Sequence, residues 1–204
     1  MSFEESGMLT DEERTRRNNL MKDLLRRLDD HAAGERAHAE RVAVYAVATG
    51  EAMGMSDEDL LTLRYAAELH DIGKLKISSD ILLAERPLEP DERALVEQHV
   101  VNVEEFLPDE AFLKPALPLI EAHHERWTGG GYPTGAMAAA IPLGARIIGA
   151  AEAMDVMLQG APWRKAFPEE AALSAMKGLG GNWFDPVVVE VLLKVQPQIQ
   201  PLRA

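Results

Sequence analysis

The spacing of the apolar residues most limits the folds that this chain can adopt. Apolar side chains return at intervals of three and four residues in almost every segment and alternate almost nowhere, which indicates helices rather than strands. Thr10 and Glu13 predict the capping box of a first helix that runs to about His31. Its apolar face carries Leu20, Leu24, Leu25 and Leu28. The sequence therefore predicts an all-α fold, a compact helical bundle.

Glycine and proline divide the rest of the chain into further helices. The segment 74–90 is predicted to be irregular, and 128–135, with four glycines and a proline in eight residues, is predicted to be a loop. Pro142, Pro168 and Pro186 each mark the first turn of a helix. The predicted helices are 36–53, 56–73, 90–107, 115–127, 142–158 and two that begin at 168 and 186.

Composition excludes several functions. The 204 residues include 21 basic and 34 acidic side chains, and the net charge of −13 disfavours binding to nucleic acid polymers or anionic membranes. With no cysteine, a metal site must consist of His, Asp or Glu. Residues 1–30 lack the apolar core of a signal peptide, and no segment reaches the ~18 to 20 apolar residues that a membrane span needs. A cytoplasmic location is therefore expected.

Histidines and acidic residues form clusters along the chain. His70 and Asp71 precede Lys74 at a predicted helix end, so a nitrogen ligand, an oxygen ligand and a cation are grouped where the chain turns. On its own, such a pair is more often an ordinary surface or core contact than a metal site. The joint pattern is more informative, because facing helices of a bundle build dinuclear sites from such residues. The set is His38, His70, Asp71, His99, His123, His124 and Glu152.

The motifs around these residues resemble the HD-GYP family of the HD phosphohydrolase superfamily, whose members hydrolyse the bacterial second messenger cyclic di-GMP at a site of two or three metals. The resemblance covers about 36–193. The matching motifs are HAERV from His38, HDIGK from His70, HHERW from His123 with GYP from Gly131, and FDP from Phe184.

The resemblance implies a ligand set and a mechanism. The implied ligands of two divalent transition-metal ions, iron or manganese, are His38, His70, Asp71, His99, His123, His124 and Glu152. Asp71 would bridge the metals, a metal-bridging hydroxide would attack the phosphodiester, and Lys74 would neutralise charge on the phosphate. Asp71 and Lys74 are therefore the implied catalytic residues.

Three departures from the family pattern concern metals and substrate. Glu152 stands where the family has aspartate, with Asp155 one helical turn further on as a substitute ligand or a partner for a ligand histidine. Gly34 stands where three-metal members have glutamate, which favours two metals. Ala161 replaces an arginine that helps to hold the dinucleotide phosphates. The predicted substrate-binding residues are Tyr132, Trp163, Arg164 and Lys165.

The leading hypothesis is a metal-dependent phosphodiesterase for cyclic di-GMP or a related cyclic dinucleotide. Two alternatives stay open: a degenerate member that only binds ligands or partners, and a phosphohydrolase of another nucleotide. Residues 35–204 are predicted to form the HD-GYP-like domain. Residues 1–34 are predicted to be an N-terminal helix that docks on the bundle, forms a homodimer or meets a regulatory partner, with His31 facing solvent.

Overall fold

The computed structural model describes residues 10–199 and confirms the all-α fold, since no β-strand occurs in this range. Short 3₁₀ turns connect several of the helices. The nine α-helices of the described range are α1 (Asp11–His31), α2 (Glu35–Ala52), α3 (Asp57–Leu69), α4 (Ser79–Leu82), α5 (Pro90–Glu97), α6 (Leu117–Glu121), α7 (Leu143–Gln159), α8 (Glu169–Leu179) and α9 (Pro186–Ile199). Within residues 10–199, no helix combines the length and the apolar character needed to cross a membrane.

Helix α1 begins at the predicted cap and packs on the same chain. The Thr10 hydroxyl accepts a hydrogen bond from the Glu13 amide at 3.1 Å. The apolar face is buried against α2 and α3 through Met21, Leu24, Leu25 and Leu28. The division of the chain at residue 34 and pairing with a second molecule stay predictions, and residues 1–9 and 200–204 lie outside the described range.

The prediction that His31 faces solvent is wrong. Its side chain is half-buried at the end of α1, and its Nε2 atom lies 2.7 Å from the carbonyl oxygen of Ile77. The contact joins the first helix to the segment that follows His70 and Asp71. Periodicity could not reveal it, because the partner lies 46 residues further along the chain.

Helix α2 lies in the centre of the bundle and packs against α1, α3, α7 and α9. Tyr45 of α2, Leu63 of α3 and Ile148 of α7 are fully buried in the shared core. Helix α7 is buried along most of its length, as expected for a helix that is apolar on nearly all sides. The two helices therefore form a rigid frame on which functional side chains can be placed.

Two predicted helices are shorter than their sequence patterns indicate. The helix predicted over 90–107 ends at Glu97 and continues as separate 3₁₀ turns, so His99 lies in a turn. The helix predicted over 115–127 ends at Glu121, so His123 and His124 also lie beyond a helix end. The apolar spacing continues past both ends because these turns still bury one side against the core.

Candidate metal centre

Three of the predicted ligands cap the ends of three helices. His70, His99 and His123 each follow the last residue of a helix by one or two positions. Each donates its Nδ1 hydrogen to the backbone carbonyl three residues earlier, in the last turn before the helix end. The acceptors are Ala67 at 2.8 Å, Val96 at 2.7 Å and Ile120 at 2.5 Å. With Nδ1 engaged in this way, Nε2 is the ring nitrogen of each histidine that remains to face the cluster.

The Nε2 atoms of these histidines converge around Asp71. The Nε2 atom of His70 lies 3.1 Å from Asp71 Oδ2, and that of His99 lies 3.4 Å from Asp71 Oδ1. The Nε2 atoms of His99 and His123 are 3.5 Å apart. All four side chains are at most 2% exposed. One carboxylate and three imidazoles thus face a common interior point.

His38 approaches this point from α2 and is held by two further residues. Its Nε2 atom lies 3.9 Å from Asp71 Oδ2, while its Nδ1 hydrogen is donated to Asp155 of α7 at 2.8 Å. Arg41 donates two hydrogen bonds to the same carboxylate, at 2.7 and 2.9 Å. Burial opposes ionisation, but His38 and Arg41 hold the pKa of Asp155 below its usual value. Asp155 therefore orients His38.

Glu152 also reaches the centre despite its difference from the family's aspartate. Its Oε2 atom lies 3.9 Å from both His123 Nε2 and His124 Nδ1. Arg146, a possible alternative partner on α7, instead forms an ion pair with Asp185 at 2.6 Å. Glu152 is therefore placed among the histidines rather than in a separate ion pair.

The structure brings all seven predicted ligands together. Within three overlapping groups, the candidate donor atoms lie no more than 4.8 Å from one another. The groups are His99, His123 and His124; His38, His70 and Glu152; and His70, Asp71 and His123. Since His70 and His123 each belong to two groups, adjacent metal ions could be held in this space.

Unsatisfied buried atoms test whether a cation fits these residues. Among the described residues, His70 Nε2 and Asp71 Oδ1 are buried and form no hydrogen bond, although each lies within 3.4 Å of a polar atom of the cluster. Leaving a buried polar group unsatisfied costs about 1 to 3 kcal/mol. Both atoms are metal-ligand types, and both point into the cluster where the donor atoms converge. The residues therefore fit divalent cations.

The electrostatics of the cluster agree with this fit. Burial lowers the pKa of His99 to about 4 and that of His123 to about 3, so both rings are neutral near pH 7 and can act as ligands. Burial also opposes a charge on His70, but the Asp71 carboxylate raises the pKa of His70 to about 9. The Asp71 carboxylate therefore favours a positive charge beside it. A metal ion can supply that charge in place of the proton on His70.

Lys74 adjoins the cluster but is not a solvated lysine. Its Nζ atom lies 2.7 Å from Asp71 Oδ2 and 3.0 Å from each carboxylate oxygen of Glu35. Burial opposes the charge, but Asp71 and Glu35 raise the pKa of Lys74. Glu35 is absent from the predicted site residues. It could have been found as an acid in the first turn of α2, one turn before His38.

Two glycines allow the ligand-bearing segments to approach closely. A Cβ atom at Gly73 would lie 2.0 Å from the carbonyl oxygen of His99, and one at Gly149 would lie 2.4 Å from that of His123. No side chain fits at such distances without a shift of the backbone. Gly73 and Gly149 therefore have a direct part in forming the centre.

The glycine-rich loop lies over one edge of the histidine cluster. The Tyr132 ring packs against His124 with centroids 4.8 Å apart. The buried carboxylate of Glu125 accepts hydrogen bonds from the backbone and hydroxyl of Thr134, both at 2.7 Å. Glu125, which is also missing from the predicted site residues, therefore fixes this loop beside the ligands.

The remaining predicted substrate residues lie in a different place. Trp163, Arg164 and Lys165 belong to a turn after α7 and line an open cleft of about 600 Å³ together with Glu85. Trp163 is 54% exposed, so it is not part of the core. In the described structure, none of the seven predicted ligands lines this cleft. The turn and the metal centre are thus two separate regions, although α7 adjoins both.

The helical bundle and its buried cluster of imidazoles and carboxylates define a class of metal-binding domain. The family model described as "HD domain" matches residues 19–188, and the chain belongs to this family. The resemblance to its HD-GYP branch is confirmed. His70 and Asp71, which directly follow α3, lie within the matched residues.

The chain is similar in sequence to several curated proteins, of which three are described here. The chain is 32% identical to the cyclic di-GMP phosphodiesterase response regulator RpfG of Xanthomonas campestris, over 92% of this chain and 50% of that protein. It is 35% identical to a cyclic di-GMP phosphodiesterase of Thermotoga maritima, over 79% and 45%. It is 37% identical to a 3'3'-cGAMP-specific phosphodiesterase of Vibrio cholerae, over 77% and 34%. The chain therefore spans half or less of the length of these relatives.

Solved structures agree on the fold. An HDG"Y"P protein from Bdellovibrio bacteriovorus superposes with a TM-score of 0.66 at 20% identity, over 80% of this chain and 52% of that chain. The cyclic GMP-AMP specific phosphodiesterase of V. cholerae gives a TM-score of 0.64 at 23% identity, over 90% and 49%.

Proposed function

We propose that this chain is a metal-dependent phosphodiesterase that hydrolyses a cyclic dinucleotide, with cyclic di-GMP as the preferred substrate. The observation that best supports the proposal is the convergence of three backbone-anchored histidines on the buried Asp71, with two donor atoms unsatisfied among the described residues. The names of two relatives support cyclic di-GMP, and that of a third supports 3'3'-cGAMP as a second candidate.

The proposed metal content is two divalent transition-metal ions. Neutral imidazoles and carboxylates in this mixture suit iron or manganese, and the absence of cysteine disfavours softer metals. Bound there, the ions would polarise the phosphate oxygens and lower the pKa of the attacking water. The chain would hold them with His38, His70, Asp71, His99, His123, His124 and Glu152.

The protein's own groups would divide the remaining work. The buried histidines exclude water from the surroundings of the phosphate, and their backbone hydrogen bonds keep the rings in place. The Lys74 ammonium, at the edge of the cluster, would stabilise negative charge on the phosphate as the ester bond breaks. Tyr132 would contact a base beside His124.

We propose that α1, the described helix of the predicted 1–34 segment, docks on this domain rather than forming a dimer contact. Burial of the Met21, Leu24, Leu25 and Leu28 face within the same chain supports docking, because that face is then unavailable to a second molecule. Light scattering at several protein concentrations distinguishes the two. A stable dimer that is lost on Leu24→Asp in an otherwise folded protein would contradict docking.

The experiment that tests the proposed activity combines metal analysis with turnover. Protein purified without oxygen and loaded with iron or manganese is expected to hold two ions and to hydrolyse cyclic di-GMP faster than 3'3'-cGAMP and mononucleotides. Binding of cyclic di-GMP without hydrolysis at full metal content would instead favour the binding-module alternative. Turnover of mononucleotides alone would favour the phosphohydrolase alternative.

A further inference from the structure

The Lys74 ammonium is shared by two carboxylates that come from different parts of the chain. Asp71 lies three residues before Lys74, whereas Glu35 lies at the start of α2. One oxygen of Asp71 at 2.7 Å and two of Glu35 at 3.0 Å face the ammonium, which has three hydrogens to donate. The side chain of Lys74 is only 15% exposed. Its position is therefore set by this pair of acids.

Glu35 is held in place by the turn that joins α1 to α2. Gly34 adopts the left-handed conformation at φ 97°, which favours glycine. The Asp29 carboxylate accepts hydrogen bonds from the Gly34 amide at 2.9 Å and the Arg36 amide at 3.2 Å. These two amides flank Glu35 in the chain. Asp29, at the end of α1, thus fixes the backbone on both sides of Glu35.

Asp71 and Glu35 differ in the other groups that they contact. Asp71 also faces His38, His70 and His99, so its oxygens are shared with the cluster of predicted ligands. Both oxygens of Glu35 are directed at Lys74. The contact that belongs to Lys74 alone is therefore the one from Glu35.

We propose that Glu35 is a positioning residue that holds the Lys74 ammonium beside the metal centre, and that Asp29 sets Glu35 through the α1–α2 turn. Loss of the Glu35 charge leaves Lys74 with Asp71 only and lets its ammonium move away from the place where the phosphate is expected. Misplacement of a charged group at a reacting centre lowers turnover more than it weakens substrate binding. Glu35 thereby links the first helix to the site.

The test compares Glu35→Gln and Asp29→Asn with two matched controls. Glu40→Gln removes an acid from the exposed ion pair with Arg36 on α2, and Asp30→Asn removes one from the exposed pair with Arg26 on α1. The first measurement is acetylation of Lys74 in the metal-loaded protein, followed by peptide mass spectrometry. Lys76, an exposed lysine two residues away, is the internal reference.

Glu35→Gln is expected to raise the acetylation rate of Lys74 relative to Lys76 by about tenfold, the effect of losing a charge-assisted contact. Asp29→Asn is expected to raise it by a smaller factor, and both controls should leave it unchanged. Metal content should stay at the wild-type value in all four variants. An unchanged rate in Glu35→Gln, or the loss of a metal ion from it, would overturn the proposal, the latter because Glu35 would then be a ligand.

The second measurement is kinetic and rests on the proposed function. With cyclic di-GMP, kcat of Glu35→Gln is expected to fall by about tenfold with KM changed less than twofold. A change in KM alone would overturn the positioning role. The two readouts test different proposals. If the wild type hydrolyses no cyclic dinucleotide but Glu35→Gln still raises the acetylation of Lys74, the contact between Glu35 and Lys74 is supported and the proposed activity is contradicted.

Discussion

The metal centre and the turn at 161–165 differ in how their side chains are held. In the metal centre, His70, His99 and His123 are each fixed at Nδ1 by a backbone carbonyl and are almost fully buried. In the turn, backbone hydrogen bonds between Ala161 and Arg164 fix the chain, while Trp163 stays exposed. The side chains of the metal centre are therefore held in one arrangement. Side chains of the turn can be replaced at little cost in the free energy of unfolding.

The comparison predicts that substitutions in the two regions differ in kind. In the centre, a change at a predicted ligand that contacts several others, such as Asp71, should remove metal and activity together. In the turn, a change should alter substrate affinity and leave metal content as it is. The predictions below test this distinction.

The largest effect is expected for Asp71→Ala. Asp71 lies within 4 Å of His38, His70, His99 and Lys74, so its loss removes the common partner of the cluster. We expect less than a tenth of the wild-type metal content and no measurable turnover. Elemental analysis after dialysis measures the first. Asp109→Ala, which removes an exposed acid paired with Lys114, is the control and should keep both metals.

Gly73→Ala is expected to have a comparable effect through the backbone. Its Cβ would lie 2.0 Å from the His99 carbonyl oxygen, so the turns that carry His70 and His99 must separate. We expect about 1 to 3 kcal/mol of destabilisation in urea unfolding and the loss of at least one metal ion. Gly178→Ala, where a Cβ meets nothing within 4 Å in helix α8, should be neutral or slightly stabilising. A Gly73→Ala protein with full metal content would show that the close approach is dispensable.

Much of the fold and of the metal centre follows from the sequence for a physical reason. Long helices such as α1 and α7 bury a continuous apolar face, and that face is visible as three- and four-residue spacing. The predicted ligands were proposed from dense motifs and a family resemblance, and the structure brings them close together. Their convergence around Asp71 is a property of the fold that the motifs only imply.

The parts that could not be predicted depend on contacts between distant residues. The apolar spacing around His99 and His123 predicts that both lie on helices, but their side chains hydrogen-bond to the carbonyls of Val96 and Ile120 where the helices end. A side chain that competes for a backbone carbonyl in this way leaves no periodic signal. The contact of Glu35 with Lys74 spans 39 residues and is equally invisible in the sequence.

Lys74→Ala should separate chemistry from metal binding within the first region. The lysine contacts Asp71 but lies at the edge of the ligand cluster. We expect unchanged metal content and a fall in kcat of about 10² or more, because in the proposed mechanism its charge would act most as negative charge develops on the phosphate. Stopped assays of cyclic di-GMP hydrolysis measure the rate. Normal kcat with a raised KM would instead make Lys74 a residue that binds the ground state.

Asp155→Asn should have a smaller effect on the same centre. The amide keeps the shape of the side chain but loses the charge that orients His38 and pairs with Arg41. Residues that hold a ligand histidine contribute about tenfold to a hundredfold in metal affinity. Competition with a chelator is the measurement. Asp80→Asn, at an exposed acid of the short helix α4 that belongs to none of the three ligand groups, should show the wild-type affinity. Equal affinity in both variants would contradict the orienting role of Asp155.

The smallest effect is expected in the second region, for Ala161→Arg. The substitution adds a guanidinium to the cleft that Arg164 and Lys165 line, which should tighten binding of a dinucleotide phosphate by about tenfold, the effect of one charge-assisted contact. Glu85 lines the same cleft and can pair with the new arginine, so Ala161→Arg is compared with Ala161→Gln and with Ala161→Arg combined with Glu85→Gln.

Calorimetric titration with cyclic di-GMP measures the affinity of the four proteins. Affinity should be lowest in the wild type and Ala161→Gln, higher in Ala161→Arg and highest in the double variant, while metal content stays constant. Equal affinity in all four proteins, when the wild type binds well, would mean that the phosphates lie elsewhere and that the turn takes no part in substrate selection. A change in metal content would show instead that the two regions are coupled along α7, against the independence argued above.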